Sequence, residues 1–248
     1  MSKEESIIKS LELLQKISLK SNSIRAMEHI PAQKGRYRKY PEDVHPALVE
    51  ALKEKGFSKL YSHQHQSWHL LKKEKNIAVV TPTASGKTLC YNLPVLDAIL
   101  KNPSSRAIYL FPTKALAQDQ RAELDETIKR LPDKIRIFTY DGDTPQDARK
   151  AIRARGHIIL TNPDMLHAGI LPHHTKWIKL FENLKYIVID ELHNYRGIFG
   201  SHLANVLRRL KRIAKFYGSS PQFILCTATI ANPMEMAEKM IEEPVSVV

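Results

Sequence analysis

From about residue 62 onward, short β-branched and apolar runs alternate with longer stretches in which apolar residues recur every three to four positions. The short runs predict strands at 77–81, 107–111, 135–140, 157–161, 186–190 and 222–226. The longer stretches predict helices near 87–100, 114–131, 144–155 and 200–217. Strands alternating with helical patterns describe a doubly wound α/β domain, a mostly parallel sheet built from crossover units with helices on both faces. Ligands of such a sheet belong at the carboxyl ends of its strands. Ahead of this domain, Ile7, Ile8, Leu11, Leu14 and Ile17 lie at helical spacing among Lys, Glu and Ser, predicting an amphipathic helix over 4–20. Its apolar stripe needs cover, from this domain or from another part of the protein. Pro31, Gly35 and Pro41 bracket Arg36, Tyr37, Arg38 and Lys39, which read as an extended connector. The organisation expected is a helical extension and connector over 1–40 and one α/β domain over 41–248.

Composition narrows the partners. The 248 residues, 43% of them hydrophobic, suffice for one substantial core. An excess of 38 Lys and Arg over 26 Asp and Glu gives a net charge of +12, which draws a polyanion such as DNA or RNA, although many basic proteins bind neither. Cys90 and Cys226 are far apart and each sits in an apolar stretch, so there is no disulfide framework and no zinc-ligand spacing. Adjacent His173 and His174 lack a Cys or acidic partner at metal spacing. No apolar run approaches the roughly 18 residues that span a bilayer, and Lys3, Glu4 and Glu5 precede the first apolar residues. A cytoplasmic protein in a reducing compartment, without membrane partners, is expected.

The chemistry begins after the first strand. Thr81-Pro82-Thr83-Ala84-Ser85-Gly86-Lys87-Thr88 stands between that strand and a helix, the context of a phosphate-binding loop. Backbone amides over Thr83, Ala84, Ser85 and Gly86 and the helix N-terminus can face a β-phosphate, Lys87 can reach β and γ oxygens, and the Thr88 hydroxyl can ligate Mg²⁺. Thr81 occupies the place of the usual first glycine. The run 186–189 leads directly into Asp190 and Glu191. At a strand tip, Asp190 can hold the Mg²⁺ of ATP while Glu191 orients and deprotonates the attacking water.

Asp190-Glu191-Leu192-His193 resembles motif II of superfamily 2 helicases of the DEAH or DEVH type, and further motifs of that family follow in order. The resemblance implies a RecA-like P-loop domain. Residues 56–64 resemble the Q motif, which implies that Gln64 reads the adenine edge and that an upstream aromatic, Tyr40, stacks on the base. Pro112-Thr113-Lys114 and the residues after them resemble motif Ia. Thr161-Asn162-Pro163-Asp164 resembles motif Ib, and Gly142 lies in a further strand-contacting loop. These imply contacts to a nucleic-acid backbone, though helix capping by Thr113 or Asp164 explains the same residues. Thr227-Ala228-Thr229 resembles motif III, implying that Thr227 and Thr229 couple the two sites by hydroxyl hydrogen bonds to His193. Residues 60–64, 166–174 and 190–202 are similar to the bacterial MrfA helicases and their fungal relatives. That likeness implies an ATP-dependent 3′–5′ DNA helicase acting in repair of crosslinked DNA, in the bacterial cytoplasm or nucleoid. Tyr195-Arg196-Gly197 and His173-His174 fit either loops near DNA or simple loop packing.

The family completes its ATP site with arginines of a second RecA-like domain, and no second phosphate loop follows Thr229. A longer polypeptide is therefore expected, with this part binding nucleotide weakly and turning it over very slowly. Single-stranded nucleic acid is the expected track, DNA ahead of RNA. An RNA helicase of the same superfamily and a nucleotide-gated scaffold remain open alternatives. A small-molecule phosphotransferase would need an Arg-rich lid that is not evident.

Overall fold

A computed structural model describes residues 3–21, 35–82 and 84–248, and of the first segment the side chains of 6–17. The chain divides into two compact units, Met1–Gly35 and Arg36–Val248. In the first, α1 (Lys3–Ser21) is the expected amphipathic helix, with Ile7, Ile8, Leu11 and Leu14 exposed. Of the expected connector, residues 31–34 lie outside the described residues. Its later part is not a plain linker: β1 (Tyr37–Arg38) pairs antiparallel with β2 (Leu60–Tyr61), Tyr37 opposite Tyr61.

The second unit is built on a seven-stranded sheet. Its strands are β3 (Asn76–Val80), β4 (Arg106–Leu110), β5 (Ile137–Thr139), β6 (Ile158–Thr161), β7 (Leu184–Ile189), β8 (Gln222–Thr227) and β9 (Val245–Val247). The order across the sheet is β5-β6-β4-β7-β8-β3-β9, and every pairing is parallel. All six anticipated strands form. β9 closes the edge beside β3, extended by Val248, which exchanges backbone hydrogen bonds with Ala78 and Val80 at 2.9 Å.

Period-two alternation divides the core. Ile77, Val79, Tyr109 and Val188 face one layer with Leu48, Trp68, Tyr91 and Leu96. Ala78, Ile108, Ile187 and Leu225 face the other with Trp177, Phe181, Leu203, Leu207 and Ile241. The first layer carries α2 (Pro46–Glu54), α3 (Ser62–Lys72), α4 (Lys87–Lys101) and α5 (Lys114–Ile128). α6 (Gln146–Arg155), the short α7 (Pro163–Met165) and α8 (Ile178–Glu182), α9 (Gly197–Phe216) and α10 (Pro233–Ile241) complete the unit. The helix α3 buries an unusual set, Gln64, Ser67, Trp68 and Leu71, and Trp68 Nε1 donates to Asp43 Oδ1 at 2.9 Å. Polar residues dominate its sequence, which is why apolar periodicity does not reveal it.

Candidate nucleotide and nucleic-acid site

The phosphate loop leaves β3 at Thr81 and enters α4 at Lys87. Ala84 (φ 58°) and Gly86 (φ 78°) are left-handed, which turns the chain back on itself within three residues. The Thr81 and Ser85 hydroxyls lie 2.7 Å apart and close the base of the loop. This gives Thr81 a local role that a glycine there would not have. Lys87 Nζ donates to the carbonyls of Thr81 (3.0 Å) and Pro82 (3.4 Å), so its ammonium lies over the loop, within reach of any anion held there. Thr83 lies outside the described residues.

Gln64 is buried against this loop. Its Oε1 accepts from the Tyr61 amide at 2.8 Å, and its Nε2 donates to the Gly86 carbonyl at 2.9 Å. The amide thus braces the mouth of the helix, leaving one N–H and one lone pair for a ligand. A small cavity of about 100 Å³ lies beside it, lined by Gln64, Gly86 and Thr88 with Phe57 and Tyr61. Tyr40 does not line this cavity. Its hydroxyl donates to the Phe57 carbonyl at 2.6 Å, and burial pushes its pKa up to about 12. The aromatic residues beside the cavity are instead Phe57 and Tyr61, both part-exposed; they lie within the run 56–64 itself.

Because β7 and β3 flank β8, the acidic pair emerges at the same sheet edge as the phosphate loop, two strand spacings (on the order of 10 Å) away. Asp190 is buried. Its Oδ1 accepts from the Glu191 amide at 2.9 Å, and its Oδ2 faces the Tyr91 hydroxyl at 3.1 Å. Burial raises its pKa, with the Glu191 charge adding to the effect, while the Glu191 amide, the Tyr91 hydroxyl and Lys87 act against it. Glu191 is itself left-handed at φ 52°, a conformation costing about 1–3 kcal/mol for a non-glycine residue. Its Oε2 stands 3.2 Å from His193 Nδ1, at an angle that makes no hydrogen bond.

The link expected between His193 and motif III is absent among the described residues. The Thr227 hydroxyl is fully buried without a hydrogen-bond partner, and Thr229 is exposed. The short 3₁₀ turn Leu192–Asn194 brings the His193 ring back toward its neighbour Glu191 instead. A connection that sequence reasoning missed runs through Tyr91, whose hydroxyl lies within hydrogen-bonding distance of both Asp190 Oδ2 and Gln120 Oε1 (2.9 Å). One proton serves one acceptor at a time, so this hydroxyl can switch between the acidic pair and the helix of motif Ia. The signal was Gln120, which falls in the motif Ia run.

Adjacency of β5, β6 and β4 gathers the other loops. Thr113, Lys114, Asp141, Thr161 and Asn162 surround one shallow depression. Several groups expected to meet phosphate are committed within the protein. Thr113 Oγ1 caps α5 by accepting from Leu116 N (3.3 Å), Thr161 Oγ1 is buried and donates to the Tyr140 carbonyl (2.6 Å), and Asn162 Oδ1 caps α7 by accepting from Met165 N (2.8 Å). Pro163 is buried and Pro112 half-buried. Lys114, paired with Asp143 at 2.5 Å, is exposed. So is Asp164, whose Oδ1 lies 3.6 Å from His202 Nε2. Gly142 has open space where a side chain would stand.

Comparison with known proteins places this geometry. Residues 61–237 match the DEAD/DEAH box helicase family. The chain is 54% identical over 237 residues to the ATP-dependent helicase YprA of Bacillus subtilis, covering 96% of this chain and 32% of that protein. It is 41% identical over 219 residues to the ATP-dependent helicase hrq1 of Schizosaccharomyces pombe, covering 87% and 21%. Among solved structures, the DUF1998 helicase MrfA bound to DNA superposes with a TM-score of 0.89 at 54% identity, over 94% of this chain and 31% of that one. MrfA bound to DNA and AMPPNP gives 0.89 at 52% identity, over 94% and 33%. The chain thus spans about a third of YprA and a fifth of hrq1.

Proposed function

This chain belongs to the DEAD/DEAH box helicase family, and from that premise we propose that it is the ATP-binding motor domain of a 3′–5′ DNA helicase that hydrolyses ATP as it moves along a single strand, in DNA repair. The observation that carries the reading is convergence. The phosphate loop, the Asp190–Glu191 pair and the loops around Thr113 and Asn162 all leave the carboxyl edge of one parallel sheet.

In this reading the amides of Thr83, Ala84, Ser85 and Gly86 hold the phosphates, and Lys87 swings from the Thr81 carbonyl onto the β and γ oxygens. Glu191 takes the proton of the attacking water, with the His193 ring as its neighbour at 3.2 Å. The residues fit a Mg²⁺ ion: Asp190 is a buried carboxylate whose charge burial opposes, beside a second carboxylate, and Thr88 opens the facing helix. Bound there with ATP, Mg²⁺ would neutralise charge on the transferring phosphoryl group. Gln64 bears on the adenine with its remaining donor and acceptor. Tyr61 and Phe57 stand nearer that cavity than Tyr40 and are the better candidates to meet the base. Tyr91 carries the connection between the two sites, and His193, Thr227 and Thr229 join it only once bound nucleotide and strand bring them together. Lys114, Asp164 and the open backbone at Gly142 meet the strand, with Pro112, Thr113, Thr161, Asn162 and Pro163 shaping the loops that present them.

Full catalysis requires arginines from a second RecA-like domain in the same polypeptide, for which the longer relatives have room. This portion alone turns over ATP very slowly. Among the described residues no helix is long and apolar enough to cross a membrane; the reading places the protein with bacterial DNA, in the cytoplasm or nucleoid.

The test is ATP hydrolysis by the longest natural form of the protein with single-stranded DNA, with matched RNA as competitor. DNA stimulation that RNA does not reproduce is expected, and Glu191→Gln should keep nucleotide binding while losing turnover. Equal stimulation by RNA would move the track to RNA. Absence of stimulation by either would leave a nucleotide-gated scaffold.

A further inference from the structure

His65 and His69 stand one turn apart on α3, on the same face of the helix. Their Nε2 atoms are 3.3 Å apart, and their rings meet edge to face with centroids 4.4 Å apart. His69 is exposed and His65 half-buried.

That separation has a specific meaning in coordination chemistry. An ion held by two imidazoles at roughly 2.0–2.1 Å with a tetrahedral angle sets its two nitrogens roughly 3.3–3.4 Å apart. An octahedral right angle at the same bond length would need about 3.0 Å. The separation matches a tetrahedral bite, while the ring centroids stand 4.4 Å apart where two imidazoles aimed at one such ion would set them about 5.2 Å apart, so a small rotation of the rings is needed to aim both lone pairs at the ion. The competing occupant of the same geometry is a proton, shared in an Nε2–H···Nε2 hydrogen bond. Burial lowers the pKa of His65 and favours its neutral form, while the Arg38 guanidinium that adds to this shift also opposes a dication, so the chelate rests on the geometry of the two rings.

We propose that His65 and His69 chelate a divalent transition ion of the imidazole-preferring class, Zn²⁺ above all, through both Nε2 atoms. No group of three or more His, Cys, Asp or Glu suited to a metal occurs among the described residues, so water completes the shell and the ion exchanges readily. His63 does not join, because its ring is stacked on Tyr61 (centroids 5.5 Å apart). The chelate ties residues 65 and 69 across the first turns of α3, directly after Gln64, the residue that braces the phosphate loop. Zinc thereby fastens the helix that holds the nucleotide cavity, independently of what track the motor uses.

The experiment is calorimetric titration of Zn²⁺ into the chelator-treated 248-residue chain at mildly alkaline pH, with melting temperature followed in parallel. His65→Ala and His69→Ala should each weaken binding by roughly tenfold or more, since one imidazole retains no chelate. His173→Ala should leave binding unchanged. Zinc should raise the melting temperature, because a ligand of the native state stabilises it, and both variants should lose that rise. Lower pH should weaken binding as protons compete for Nε2. Full affinity in either single variant, or a melting temperature that zinc does not raise, would overturn the assignment.

Discussion

Gly86 offers the sharpest test of how the nucleotide cavity is built. Its φ of 78° lies in the left-handed region, and a Cβ there would come 2.8 Å from Gln64 Nε2. In Gly86→Ala the backbone strain alone costs about 1–2 kcal/mol. The steric conflict falls on the flexible end of a side chain, so it resolves by displacing the Gln64 amide rather than the backbone. That displacement forfeits the bonds to Tyr61 N and Gly86 O, about 1 kcal/mol each. The sum is a loss of about 3–4 kcal/mol, with weakened nucleotide binding. If this accounting is right, the cost of Gly86→Ala depends on Gln64. In a Gln64→Ala background the amide is already gone, and the added cost should shrink to the backbone term, a coupling of about 2 kcal/mol. Urea unfolding of wild type, both single variants and the double variant measures it. Additive effects would refute the reasoning, as would a Gly86→Ala protein within about 0.5 kcal/mol of wild type.

Other expectations are simpler. Glu74 is left-handed at φ 56° in the turn after α3, so Glu74→Gly should stabilise the protein by about 1 kcal/mol in denaturant melts. Asp190 has a raised pKa in the fold, so its folded-state contribution is best when protonated and is lost as pH rises through that pKa. Asp190→Asn should therefore stabilise at neutral pH, by an amount that shrinks as pH falls into the ordinary carboxylate range. His157 moves the other way: burial, with Arg106 and Arg136 nearby, lowers its pKa from 6.5 to about 4, and its Nδ1 accepts from the Arg136 amide at 3.0 Å. Stability should be lost as pH falls from about 6.5 to about 4, and His157→Gln should flatten that segment of the stability–pH curve. Lys87→Ala should abolish binding of a fluorescent ATP analogue without unfolding the chain, and retention of binding would remove Lys87 from the phosphate site.

The chain's alternation of strand and helix was legible because a sheet covered on both faces makes each strand a short apolar run bounded by polar turns, and β3 to β8 all lie where those runs stand. The phosphate loop and Asp190–Glu191 were legible for a related reason: their chemistry needs a fixed residue type immediately after a strand, and both facts are local. Helices α2, α3, α7, α8 and α10 were not, because α3 buries Gln64 and Ser67 through hydrogen bonds that apolar periodicity does not register, and the others are nine residues long or shorter. Strand order was beyond reach as well, since it depends on how crossovers stack. It is this order that sets β7 and β3 on either side of β8 and collects the loops of β4, β5 and β6. Roles that turn on the competition for a single hydrogen bond came last of all. The sequence shows a Gln, a Tyr and a Thr that could each meet a ligand; only the packed structure shows Gln64 committed to Gly86, Tyr40 to Phe57 and Thr161 to Tyr140, with Tyr91 facing both Asp190 and Gln120. A donor's partner is decided by distances of tenths of an ångström between residues tens of positions apart, and such distances exist only once the fold has formed.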